Sequence, residues 1–247
     1  MQHPDLFSDS PGPQMTRAPD DPEAAWSDLA ADLGSGADQV WALGHDVIFV
    51  TLALRTLQAR PELTTPNLVG GLQVMIAWCR ERPIEKTMDA LYGVDVSAVE
   101  TSEVDLEASR DGPQELARLS LETLVGFERI YEGAHQGNVG HVMDHAQALL
   151  ELERLGFGRA ARSGWSGFRR HVAVLRHLQG IPLQGAEVEA SVAEDPRRVA
   201  YWELNLMRND WAYGHAFKYP YHLYDLARLA EDPSLALAAE RQVGRLI

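Results

Sequence analysis

Cysteine is almost absent from this 247-residue chain: Cys79 stands alone, so no internal disulfide can form, a usage that suits a reducing compartment. Its neighbours Val74-Met75-Ile76-Ala77-Trp78 are apolar, which predicts a buried structural thiol. Lysine is nearly missing too, occurring only at Lys86 and Lys218, with arginine supplying the other cations. That bias, with abundant alanine, points to a GC-rich bacterial genome. No run of about 18 or more uncharged apolar residues exists to cross a bilayer, and no basic start followed by an apolar stretch marks a signal peptide. The expected setting is therefore cytoplasmic, with no membrane partner. Also lacking are a glycine-rich phosphate loop, a Gly-x-Ser-x-Gly elbow, a His-Glu-x-x-His zinc motif and the paired Glu-x-x-His of di-iron bundles. Positive charge is scarce overall: the formal net charge is −14, which repels phosphate backbones and argues against nucleic acid as a partner. The densest basic group, Arg154, Arg159, Arg162, Arg169, Arg170 and Arg176, is interrupted by glycines and reads as a solvated face or a small-anion clamp.

What is present is helical periodicity. With 45% hydrophobic residues the chain can bury a full core without a staple. Residues 1–23, carrying Pro4, Pro11, Pro13, Pro19 and Pro22 among Asp, Ser and Gly, are expected to be a disordered leader. From 24 to 247, apolar residues recur at three- and four-residue spacing. The pattern predicts helices over 23–33, 37–59, 66–82, 113–127, 138–155, 163–178 and 196–208, another from about Gly214, and a last one from Pro233. Residues 84–112 are ambiguous, and Val94–Leu106, which mixes acids with β-branched residues, reads either as an irregular excursion or as a short hairpin. The expected architecture is all-α: one compact, bundle-like domain of seven to nine helices.

Three times the chain writes Gly-His ahead of an amphipathic pattern: Gly44-His45, Gly140-His141 and Gly214-His215. A glycine lets backbone or ligand approach closely, and the positive end of a helix dipole favours a neutral imidazole in the first turn. His141 and His145 lie four residues apart, which places them on one helix face, a spacing suited to joint metal ligation. With His45 they form a candidate metal set for a divalent ion, iron before zinc, with Asp46 or Asp144 assisting. His171 and His177 do not share a face and read as packing or surface residues. The segment Asp210–His222 is dense in aromatics: Trp211, Tyr213, Tyr219 and His222 are candidate substrate contacts. Pro220 is expected to kink its helix. Lys218 is expected to hold an anionic substrate or an oxygen-derived anion. His45, His141, His145, His215 and Lys218 are the catalytic candidates. A bland alternative stands beside each of them, since a histidine on an apolar face is often a hydrogen-bonded core residue and Lys218 can snorkel to solvent.

Asn138-Val139-Gly140-His141, followed by Ala148-Leu149-Leu150 and Leu155-Gly156, resembles the questin-oxidase-like family, as does Gly44-His45-Asp46-Val47-Ile48 over a total of some fifty residues. The resemblance implies a helical oxidoreductase of secondary metabolism, acting as an oxidase or oxygenase on an aromatic or polycyclic small molecule, with His45, His141 and His145 as site residues. The same three histidines also resemble the metal set of DinB-type bundles, which implies a metal-dependent thiol transferase or hydrolase. A non-catalytic helical protein that binds a small molecule or a partner, or assembles as an oligomer, is the third reading.

Overall fold

Local sequence signals set most of the helix ends. In the computed structural model, which describes residues 21–101, 112–183, 185–188, 195–206 and 213–247, α1 (Pro22–Gly34) begins where the Asp21 carboxylate accepts from the Ala24 N–H. After α2 (His45–Ala59), α3 (Pro66–Arg80) is capped by Thr65, whose hydroxyl accepts from the Leu68 N–H, with Pro66 in the first turn. Then follow α4 (Ile84–Tyr92), α5 (Gly112–Val125), α6 (His141–Arg154), α7 (Gly158–Leu178), α8 (Val199–Leu206), α9 (Tyr213–Ala230) and α10 (Pro233–Leu246). Gly156, at φ +90°, closes α6, and Asp232 caps α10 through the Ser234 and Leu235 N–H groups.

The all-α single domain holds, with ten α-helices among the described residues against the seven to nine expected. Strand-like pairing among those residues is confined to isolated bridges, Trp41 with Pro83 and Tyr131 with Glu187. The helix expected over 37–59 starts only at His45, because Ala42, Leu43 and Gly44 all adopt left-handed backbone. In the ambiguous stretch 84–112, α4 occupies the first part, 94–101 carry no regular element, and 102–111 lie outside the described residues. Glycines masked the start of α7. Its Gly164 and Gly167 admit neighbours that any side chain would exclude, since a Cβ would meet Leu149 Cδ2 at 2.4 Å and the Ala37 carbonyl oxygen at 2.5 Å respectively.

α6 is the centre, packed on α2, α5, α7 and α9, with α1 and α3 outside α2 and with α10 against α5 and α9. Every residue from His141 to Leu150 is buried. α9 runs through Pro220, which has no N–H for the Ala216 carbonyl four residues back; the Tyr201 hydroxyl of α8 donates to that carbonyl instead, at 2.6 Å. Cys79 is buried, its thiol pushed up to about 11 by burial and then by Asp46, as the structural reading expects. No helix among the described residues is long and apolar enough to cross a membrane.

Gly167→Ala places a methyl against backbone oxygens that cannot swing aside. A loss of about 1–3 kcal/mol is expected, read as a fall of several degrees in the thermal midpoint.

Candidate active site

The three Gly-His pairs converge. His45 is the first residue of α2, His141 the first of α6, and His215 sits in the opening turn of α9. Their rings meet edge to face around His141, with centroids 4.5 Å (His45) and 5.3 Å (His215) away. Two of the three glycines are required by close approach. A Cβ at position 140 would lie 2.4 Å from the Tyr219 ring, and one at position 44 would lie 3.1 Å from the His145 ring. What comes close is therefore a neighbouring ring of the protein itself. Gly214 faces open space.

His45 is delivered by a strained turn. Ala42 (φ +46°), Leu43 (φ +60°) and Gly44 (φ +86°) are consecutively left-handed, and Ala42 and Leu43 are both buried. For a non-glycine residue this backbone costs about 1–2 kcal/mol. It persists because the flanks are tied down: the Ala42 N–H donates to the Arg82 carbonyl at 2.6 Å and the Ile84 N–H to that of Val40 at 2.9 Å.

Beneath the rings lies a buried charge. Asp144, one turn along α6 from His141, is fully buried; Oδ1 accepts from His222 Nδ1 at 2.5 Å and Oδ2 pairs with the Lys218 ammonium at 2.8 Å. Lys218 Nζ also lies 2.9 Å from His141 Nε2. An ammonium only donates, so His141 Nε2 must carry the lone pair and Nδ1 the proton, which points at the Tyr219 hydroxyl 3.4 Å away. One chain of polar contacts thus runs His222–Asp144–Lys218–His141–Tyr219.

Burial lowers the His45 pKa to about 4, reinforced by Lys218 and opposed by Asp144. His141 is held well below the usual imidazole range by burial first and then by Lys218. Burial alone would raise Asp144, but His222 and Lys218 outweigh it and hold the carboxyl well below its ordinary value. The Tyr219 phenol is pushed well up by burial and by Asp144. At neutral pH Asp144 is therefore a carboxylate, and His45 and His141 are neutral imidazoles.

Of the residues anticipated from sequence, His45, His141, His215, Lys218, Tyr219 and His222 come together. His145 does not join them. It turns toward α7, where its Nδ1 lies 3.2 Å from Nδ1 of His171 and its ring meets Phe168 edge-on. The spacing of four that suggested a shared metal instead sends the two rings into different neighbourhoods. His171 is fully buried against His145, while His177 is exposed. Asp46 is buried, its carboxyl raised to about 6 by burial against the opposing pull of the Val47 N–H and Arg80. Of the aromatic residues next to Lys218 on α9, Tyr219 is buried, whereas Phe217 and Tyr221 are exposed. Trp211 lies outside the described residues, as does the side chain of Tyr213.

The iron-or-zinc set of His45, His141 and His145 does not fit this arrangement. His141 Nε2 faces an ammonium, which repels a cation, and His145 is engaged elsewhere. No group of three or more metal-binding side chains is assembled among the described residues. The sequence reading assigned His171 no role and gave Asp144 only an assisting one. Asp144 was findable, one turn after His141; the pairing of His171 with a residue 26 positions away leaves no sequence signal. No family model, curated protein or solved structure matches the chain.

Five imidazoles, His45, His135, His141, His145 and His171, have folded pKa values below the ordinary 6.5, so the unfolded chain binds protons first. Stability is therefore full above about 6.5 and declines as pH falls from there through about 4. Asp46, raised to about 6, works the other way over the same interval but is a single group. Thermal unfolding against pH is expected to show a steep decline from 6.5 downward; a flat profile to pH 4.5 refutes it. Ala42→Gly relieves one left-handed residue and is expected to raise the midpoint slightly, by no more than about 2–4 °C for about 1 kcal/mol.

Proposed function

We propose that this chain is an enzyme that ionises a hydroxylated aromatic small molecule, the opening step of an oxidase- or oxygenase-type tailoring reaction. The observation that carries this reading is the state of Lys218. Its ammonium lies 2.8 Å from Asp144 Oδ2 and 2.9 Å from His141 Nε2, and its side chain retains 15% exposure, so among the described residues part of the ammonium is open to a ligand oxygen. A fixed ammonium of this kind stabilises a developing oxyanion without reorganisation.

His45 is the proton acceptor. It is only partly buried, neutral, and turned so that one ring N–H faces the Ala42 carbonyl, which leaves the lone pair on the other nitrogen. The proton leaves the substrate hydroxyl for that lone pair while the oxygen gains the Lys218 contact. The resulting phenolate sits beside an ammonium and an imidazolium, which offsets the low basicity of His45. A phenolate gives up electrons more readily than a phenol, which connects the step to the oxidative chemistry of the questin-oxidase-like resemblance. Aromatic substrates are favoured by the rings at the rim. Phe49, exposed, is stacked on His45 with centroids 5.2 Å apart, and the Lys218 ammonium lies 5.4 Å from the Tyr219 ring centroid.

The test uses a dihydroxyanthraquinone, whose absorption shifts to the red on ionisation. Bound to the protein, it is expected to ionise at least about one pH unit lower than free, a tenfold effect. Lys218→Met is expected to abolish that shift, and His45→Gln to slow ionisation while binding persists. A probe that binds as the neutral phenol, or one whose shift survives Lys218→Met, defeats the proposal.

A further inference from the structure

We propose that the outer face of α3 is the interface of a homodimer, two copies of α3 packing antiparallel across a two-fold axis at Val74. α3 is apolar on both sides. Its inner side buries Leu72, Ile76 and Cys79, whereas its outer side leaves Val74 70% and Trp78 51% exposed, with Leu68 also exposed. α1 and α2 cover the inner side, and no described residue covers Val74 and Trp78 on the outer one.

Charge and shape select a second copy as the occupant. The molecule carries −14 overall, yet no charged residue occurs from Pro66 to Cys79. Along this uncharged stretch two identical acidic molecules meet without like-charge repulsion. The relief of the face is also complementary to itself. Val74 stands at its centre. Gly70 and Gly71 lie four and three residues before it, with open space where a side chain would be. Ala77 and Trp78 lie three and four residues after it, both exposed. Antiparallel pairing about Val74 sets the Trp78 of each copy over the bare Gly70 of the other, and Ala77 over Gly71. That reciprocity is what a two-fold interface demands, since the same patch must serve as knob and as hole. Arg82, whose guanidinium sits 3.5 Å over the Trp78 ring, holds that ring in place.

Sedimentation velocity on the full chain, across a hundredfold dilution in the micromolar range, is expected to give a particle of twice the 27.4 kDa chain mass. Val74→Glu, at an exposed position and so without consequence for folding, is expected to weaken association at least tenfold with an unchanged circular dichroism spectrum. Val74→Cys, placed on the axis, is expected to crosslink to its own copy under mild oxidation. A monomer at the highest concentration, a dimer indifferent to Val74→Glu, or a dimer in which Val74→Cys does not crosslink each overturns the proposal.

Discussion

The buried carboxylate of Asp144 is the constraint on which the centre of this molecule depends. α6 is enclosed on all sides, yet within its first five residues it carries His141, Asp144 and His145. An isolated charge there would be untenable, so the fold must bring a cation to it. Lys218 supplies it on one oxygen, and His222, from the same turn of α9, donates a hydrogen bond to the other. Removing one partner from a buried pair of this kind typically costs about 3–5 kcal/mol. The docking of α9 on α6 and the assembly of the imidazoles are consequently one event.

The second consequence is electrostatic. Because the one ammonium near His141 is already opposed by Asp144, added protons on the ring cluster have no counter-charge to meet. Burial then keeps His45 and His141 neutral, and the site holds hydrogen-bonding imidazoles in place of imidazolium ions. His145 and His171, fully buried behind them, obey the same rule by sharing a proton between their Nδ1 atoms.

Much of this was legible in the sequence, and the failures are instructive. Capping residues such as Thr65 with Pro66, and the closing Gly156, fixed helix ends because those signals act within one turn. The repeated Gly-His pairs singled out three histidines that do converge, although the helix boundaries read from periodicity placed the first two starts too early. What could not be read was anything set by neighbours distant in the chain. The left-handed Ala42 and Leu43 look like helix formers and are held otherwise by Val40, Arg82 and Ile84. The spacing of His141 and His145 correctly places both on α6, but which wall each ring meets depends on α7 and α9. The first turn of α7, from Gly158, was missed, while Gly164 and Gly167, already inside the expected helix, are contact points whose role depends on Leu149 and Ala37.

The hydroxyl of Tyr201 on the Ala216 carbonyl ties α8 to the turn of α9 that lies between His215 and Lys218. Since Pro220 has removed the ordinary donor, that turn borrows its rigidity from another helix. A displacement of α8 would thus loosen the backbone joining the two side chains, and their spacing over His141 with it. The segment bearing Tyr201 acts on the cluster as a tensioner through the backbone of α9.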